Sequence, residues 1–408
     1  MIKGYFNFHG IGQGLFYSGQ ICKKNDVFNF VYDCGTFYKK DYKLLHDKIQ
    51  SCFYTKDKSK ETINALFISH LHRDHVSGLA KLFECYDVKN VFIPFFSPEE
   101  LILLCIENNI GIGSELFSLY NNPLKYFEDK GVEYVYLIKP NLFNNNSLED
   151  FVEKTEQLHI ENPNMDIYCE NKTKLNTLSK TIVYSVRNLS FVVSNVYWEF
   201  RIYQDQDEKE QEKIRNKIKK LYKSIINCDE DIDLKAALNS DIFIEEAKKL
   251  YDKIKYNINQ SSLLLYHGPL SNEDKLTYAF YDNKCSCCYF GNDFASCTEV
   301  STLLTGDINL NYLTKKGKKL ECFLFDVSND IGFFMIPHHG SYKNMSINIL
   351  NKLFQNPVRK ICSYGKHNHF GHPDAYMLDS IFECSCGQIY HVVQNHDFRY
   401  SLTVKQTP

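Results

Sequence analysis

A chain of 408 residues with 44% hydrophobic content can bury a large core. That length suits two to three domains or one elaborated domain. Lys and Arg number 47 and Asp and Glu 50, so the net charge is -3. This excludes a protein held to nucleic acid by bulk charge, though not one with a local basic groove. Charged residues make up 24% without a long like-charge block, which excludes disorder over most of the chain. The 15 cysteines are an odd number in a long chain, a poor basis for a disulfide scaffold. The opening MIKGYFNFHGIGQG has no apolar export core, and no run of 18 apolar residues occurs. The expectation is a reduced, cytoplasmic protein with no membrane span.

Residues 2–34 read as β structure: IKGYFNF alternates, HGIGQG turns, LFYSGQI alternates again, and VFNFVYDCG is a mostly apolar strand ending at Asp33 and Gly35. NALFISH is a buried-strand pattern, followed by LHRDHVSG, a short helix LAKLFECY and a strand VKNVFIPF. Strand, loop, helix and strand in that order predict an α/β fold. Residues 96–256 differ. SPEELILLCIENN and LEDFVEKTEQLHI (148–160) are helical candidates, and TLSKTIVYSVRNLSFVVSNVYWEFRIY reads as strands. Within DQDEKEQEKIRNKIKKLYKSIIN, Ile214, Ile218, Leu221, Tyr222 and Ile225 lie three or four apart, as on one helical face. FIEEAKKLYDKIKY repeats that pattern. These charged helices read as a solvated face packed on the core, with a partner-binding or substrate-gating insertion as the rival. From residue 259 strands again alternate with helices: SSLLLYHG, LTYAFYD, STLLTGDIN, ECFLFDV, IGFFMIPHHGS, NMSINILNKLF, VRKICSYG, PDAYMLDSIFE, GQIYHVVQN and YSLTVKQ.

Residues 70–75 carry the chemistry. They read HLHRDH, the pattern HxHxDH, between an apolar strand and Val-Ser-Gly. His70 and His72, two apart at a strand end, can point the same way. The turn then swings Asp74 and His75 back toward the same space. Two imidazoles can hold one metal, and Asp74 with His75 a second one close by. Nitrogen and carboxylate ligands suit zinc, and also iron or manganese.

This sequence resembles the metallo-β-lactamase superfamily. HGIGQGLFY with FVYDCG looks like the family's first strands, and LLTGDI looks like the later strand with a bridging aspartate. IPHHGS at 336–341, NHFGHP at 368–373 and NQSSLLL at 259–265 narrow the likeness to the C-terminal metallohydrolase domain of ComEC-type DNA-uptake proteins and its stand-alone relatives. The resemblance covers 1–95 and 257–408, read as the two halves of the fold, with 96–256 as a mixed helical and strand insertion. It implies a four-layer αβ/βα sandwich with two divalent metal ions at one edge, zinc first and manganese as the alternative. It further implies that His70 and His72 hold the first metal, Asp74 and His75 the second, that Asp307 bridges, and that His338 is a further ligand of the second. Many family members add another histidine on the first metal. Between the motif and Asp307 only His159 and His267 stand, and His267, at a strand end, is the better candidate.

Other residues take supporting roles. His339 is expected to face away from His338 if the segment is extended. It reads either as a turn residue or, with Asp74 and His372, as part of the catalytic apparatus. His372 in FGHP, kept extended by Pro373, is a candidate substrate contact or general acid. His369, with His367, flanks the same cleft. Gly340 and Ser341 offer a backbone N–H and a hydroxyl to an anionic oxygen, and Arg73 can pair a phosphate. CSCC at 285–288, Cys297 and CSC at 384–386 lack the spacing of a tetrahedral zinc site and read as reduced thiols.

The expected function is hydrolysis by a hydroxide held between two metals, on a phosphodiester in a nucleic acid or nucleotide. One rival is hydrolysis of a thioester, lactone or β-lactam, since one scaffold hosts many reactions. Another is an effector or interaction subunit of a multi-protein prokaryotic system, antiviral defence included, docking a protein partner through 96–256.

Overall fold

Strand alternation sorts the apolar residues to two sides from the first strands onward. β1 (Ile2–Phe8), β2 (Gly14–Lys23) and β3 (Asp26–Thr36) form an antiparallel meander. In β3, Phe28, Phe30 and Tyr32 enter one buried cluster and Val31 another. β4 (Glu61–Phe67) divides the same way, with Ala65 and Phe67 on one side and Leu66 on the other. Such strands are buried on both faces, as parallel strands between layers must be. β3, β4, β5 (Tyr86–Pro94) and β6 (Tyr134–Ile138) are indeed mutually parallel in sequence.

The computed structural model describes residues 1–53, 60–140, 158–160, 162–163, 165–169, 171–175, 180–204, 208–227, 231–253, 262–270, 276–281, 299–311, 328–354, 358–383 and 389–406. Its further strands are β7 (Leu158–Ile160), β8 (Asp166–Cys169), β9 (Asn171–Leu175), β10 (Ile182–Arg187), β11 (Leu189–Val193), β12 (Trp198–Tyr203), β13 (Leu264–Pro269), β14 (Leu276–Tyr281), β15 (Ser301–Leu304), β16 (Ile331–Met335), β17 (Arg359–Ser363), β18 (Ile389–Val392) and β19 (Phe398–Gln406). Among the described residues the first sheet runs β14-β19-β1-β2-β3-β4-β5-β6-β10-β9. The second runs β18-β17-β16-β15-β13-β12-β11-β8-β7.

Three buried clusters define four layers. The middle one lies between the sheets and is strongly aromatic, with Phe6, Tyr17, Phe30, Phe67, Phe92, Trp198, Phe200, Phe333 and Tyr400. Phe67 stacks on Phe92 at 4.8 Å and Phe333 on Tyr400 at 3.8 Å. Outside the first sheet pack α1 (Tyr42–Gln50), α2 (Arg73–Val76), α3 (Leu79–Cys85), α4 (Pro98–Glu107), α5 (Phe117–Asn121), α6 (Pro123–Asp129), α7 (Glu208–Ile226), α8 (Leu234–Leu238) and α9 (Asp241–Lys253). Outside the second pack α10 (Ile347–Leu353) and α11 (Ala375–Glu383). This is the α/β sandwich expected from the sequence.

The expected stripe on α7 is present. Ile214, Ile218 and Tyr222 are buried against the outer core, and Leu221 and Ile225 pack on it. Residues 96–256 reach well beyond these helices. They supply β6, β9 and β10 to the first sheet and β7, β8, β11 and β12 to the second. One helical expectation is corrected where it can be seen. Leu158–Ile160, at the end of LEDFVEKTEQLHI, is a strand paired with β8, because cross-strand pairing overrides a helical pattern in a short segment. The rest of that stretch, ECFLFDV, CSCC, Cys297 and CSC lie outside the described residues. The described cysteines are free thiols. No described helix is long and apolar enough to cross a membrane.

The end of β3 meets α2 at Gly35. A Cβ there would lie 2.5 Å from the Val76 nitrogen and 2.6 Å from the His75 nitrogen. Gly35→Ala is therefore expected to push α2 off β3 and cost about 1–3 kcal/mol of stability, the usual range for overpacking. Gly111→Ala, with no atom within 4 Å of its Cβ, serves as the mild control. Urea denaturation of both variants checks this, and equal midpoints would contradict it.

Candidate metal centre

The site forms in the loops that follow the carboxyl ends of strands in both sheets, where open α/β sheets bind ligands. β4 leads into His70, His72, Asp74 and His75. β15 leads into Asp307, β16 into His338 and His339, and β17 toward His369 and His372. Three site residues, Asp33, His338 and His339, hold positive φ of 55°, 48° and 54°. This left-handed backbone is uncommon for side chains larger than glycine and collects at functional sites. Gly340, with φ 86° and the Pro373 ring where its Cβ would stand, completes the turn.

Asp74, His75, Asp307 and His339 come together, with their ligand atoms all within 4.8 Å of one another. The two oxygens of Asp307 face different partners. Oδ1 lies 3.3 Å from His75 Nε2 and 4.0 Å from His339 Nε2. Oδ2 lies 3.8 Å from His70 Nε2 and 3.7 Å from His338 Nε2. Around a tetrahedral zinc, neighbouring ligand atoms stand roughly 3.3 Å apart, so these spacings suit metal ligation with small adjustments. One carboxylate with an oxygen toward each set is the arrangement a bridging ligand needs.

The imidazoles are held with one nitrogen outward and one inward. His75 Nδ1 donates to Asp33 Oδ2 at 2.7 Å. His70 Nδ1 lies 2.9 Å from the Ser69 hydroxyl, whose own proton goes to Asp33 at 2.6 Å. His339 Nδ1 donates to the Ser363 carbonyl at 2.8 Å. His72 instead turns Nε2 to Glu107, at 3.1 Å. The inward atoms His70 Nε2, His72 Nδ1, His75 Nε2 and Asp307 Oδ1 are buried without a hydrogen-bond partner. Buried polar atoms are rarely left so. Imidazole nitrogens fixed from behind and unpaired in front are what a metal requires, so these residues fit divalent ions.

Electrostatics agree. Burial alone would lower the His75 imidazole, but Asp307, Asp33 and Asp74 raise it well above its ordinary value. Burial would raise the Asp307 carboxyl, but His338 and His75 hold it well below the usual range. Burial also favours the neutral Asp74, and His75 and His339 reverse this. His70, lowered by burial and then by His75, stays neutral. Carboxylates gathered around buried imidazoles favour a cation in their midst.

Several expectations are adjusted. His339 does not face away: successive left-handed residues curl the HHG turn, so His339 reaches Asp74 at 3.2 Å. His338 lies instead at Asp307 Oδ2. His267 is not brought to the cluster. It sits between the sheets, donating from Nε2 to Tyr17 at 2.9 Å and accepting from Trp198 at 3.3 Å, and burial pushes its pKa down to about 3. The Gly340 N–H, expected to meet an anionic oxygen, donates instead to the Pro337 carbonyl within the turn, and the Ser341 N–H donates to that of His338. Ser341 is buried. His372 lies beside His338, ring centroids 5.5 Å apart. His369 accepts or donates at Nδ1 with the Tyr38 hydroxyl, 2.7 Å away, on the exposed rim. His159 is exposed on β7. Asp33 and Glu107 were not singled out as site residues by the sequence. Asp33 carried only the signal of an acidic residue ending an apolar strand, and Glu107 none.

A two-sheet sandwich with such a cluster at its edge defines a metal-binding α/β protein. Residues 24–93 match the model of the metallo-beta-lactamase superfamily, which bears out that resemblance over the segment carrying Asp33 and the HxHxDH motif. Together with the cluster, the match supports a metal-dependent hydrolase. No curated protein matches the chain. Among solved structures, one titled as a peroxy diiron species of the chemotaxis sensor ODP is 12% identical. That alignment covers 63% of this chain and 94% of the other at a TM-score of 0.20, too low to carry an argument.

Asp33→Asn removes the acceptor charge behind His75 and is expected to weaken metal binding about 10–100-fold. His339→Ala should leave the fold and remove one bound ion. Zinc titration followed by mass spectrometry under native conditions checks both, and unchanged binding would contradict the assignment.

Proposed function

We propose that the protein is a dinuclear metal-dependent phosphodiesterase acting on a nucleic acid end or a nucleotide. The observation that favours this substrate is a set of three exposed aromatics in and next to the loops of His338 and His372. Tyr342, Phe370 and Tyr376 are 44%, 43% and 61% exposed. Tyr342 follows the HHGS turn and packs edge-on against Tyr376 at 4.8 Å. Phe370 leads through His372 to His338. Exposed rings beside cations serve as stacking platforms for bases, and Lys343 and Lys366 stand exposed in the same two loops. A local patch of this kind needs no bulk positive charge.

His70, His72 and Asp307 would hold the first metal, and Asp74, His75, His339 and Asp307 the second. Bound there, divalent ions would supply Lewis acidity and an activated water near neutral pH. The chain's own groups do the rest. His372 is pushed down to about 4 by burial and then by His338, so it is neutral at pH 7. A neutral imidazole at the rim can donate a hydrogen bond to a phosphate oxygen or relay a proton to the leaving group. Its Nδ1 is buried without a partner. Arg73, half-buried with Nε unpaired, can offer a charged donor to a phosphate.

The test is a panel of bis-p-nitrophenyl phosphate, nitrocefin and a thioester with added zinc or manganese, extended to single- and double-stranded DNA and RNA and to cyclic dinucleotides. Turnover of phosphodiesters is expected, and turnover of only the non-phosphate substrates would sink the reading. Asp307→Asn should abolish turnover with loss of metal. His372→Ala should lower the rate on the order of 10²–10⁴-fold with metal content kept, and metal loss in that variant would make His372 a ligand instead.

A further inference from the structure

His267 does not join His70 and His72 at the first metal, and the residues around His72 suggest what supports that site. The loop 71–73 is gripped from one side by a single stretch of chain. Tyr120, on α5, donates its hydroxyl to the Leu71 carbonyl. Glu107, the last residue of α4, accepts from His72 Nε2 at 3.1 Å. Asn108, the residue after it, accepts the Arg73 N–H at 2.8 Å. Three consecutive residues of the motif loop thus bind three groups from residues 107–120. None of those groups lies in the segments that carry the resemblance.

Glu107 is oddly placed for a merely structural residue. An acidic side chain at a helix C-terminus opposes the helix dipole. α4 itself is firmly set. Ser97 and Glu100 form a reciprocal capping box and Pro98 starts the first turn, an arrangement that fixes a helix N-terminus. Gln211 and Arg215 of α7 bind Glu100 at 2.9 and 3.0 Å. At the other end Tyr251 of α9 donates to Glu107 at 3.4 Å. A rigid helix therefore presents a carboxylate to the outer nitrogen of His72, and the inner nitrogen, Nδ1, is buried and unpaired.

We propose that Glu107 is the positioning residue for His72, and that through it the α4–α5 segment sets the affinity of the first metal. The carboxylate fixes the proton on Nε2, aims Nδ1 inward and raises its basicity. That support decides how tightly the first ion is held. Tyr251 makes the same support depend on α9. This rests on the metal reading of the centre.

The test uses the full chain, stripped of metal and titrated with Zn(II) and with Co(II), read by calorimetry, by Co(II) absorption and by mass spectrometry under native conditions. Wild type is expected to bind two ions; binding none would defeat the metal reading itself, a separate failure. Glu107→Ala should keep the second ion and weaken the first about 10–100-fold. Glu107→Gln, which retains an acceptor without the charge, should restore part of that loss. Tyr251→Phe should weaken the first ion by a smaller factor. In a His339→Ala background, which lacks the second site, adding Glu107→Ala should weaken the remaining ion by about the same 10–100-fold. Two ions bound with unchanged affinity in Glu107→Ala would overturn the proposal. Should that variant fail to fold, unchanged first-ion affinity in both Glu107→Gln and Tyr251→Phe would overturn it equally.

Discussion

One buried carboxylate organises the centre. Asp33 receives the Ser69 backbone N–H at 2.6 Å, the Ser69 hydroxyl at 2.6 Å and His75 Nδ1 at 2.7 Å. Burial raises its pKa, while His75 and Ser69 work against that. These bonds tie the end of β3 to both ends of the HxHxDH loop. They also set the proton on His75 and, through Ser69, on His70. A carboxylate so enclosed is tolerable only because its oxygens are met by donors. Removing it would leave two inward imidazoles without a fixed orientation.

The legible part of the centre was local. His70, His72, Asp74 and His75 lie within six residues, and a strand followed by a tight turn is enough to announce that they converge. Asp307, after a glycine at a strand end, could be matched by pattern. What escaped was non-local. Asp33 meets partners far along the chain, and nothing near it in sequence names them. Glu107 sits in a helix whose pattern speaks only of packing. His339 depended on two successive left-handed residues, which no residue type other than the following Gly340 announces.

His267 failed for a different reason, and the signal was available. In β13 and the residue before it, Leu263, Leu265 and His267 share one face, and Leu264 and Tyr266 the other. The two leucines belong to the aromatic core between the sheets, and Leu264 and Tyr266 to the outer one. Parity alone placed His267 inside. Its neighbours Phe6 and Phe30, at 5.2 and 5.0 Å, confirm a histidine used as a core aromatic with both nitrogens satisfied. The fold itself was readable because apolar strands and amphipathic helices kept their periods, α7 most clearly. The weave of 96–256 into both sheets was not, since strand partners are chosen by tertiary contact.

The two sheets meet at the centre through residues far apart in the chain. His70, His72, Asp74 and His75 follow a strand of the first sheet, and Asp307 and His339 follow strands of the second. An ion held by groups from both sheets binds only the docked sandwich. By mass action it then stabilises that docking in proportion to the logarithm of its free concentration over its dissociation constant. The cation would thus act as a clasp between layers as well as a reagent, and the melting temperature of the whole molecule becomes a gauge of metal supply.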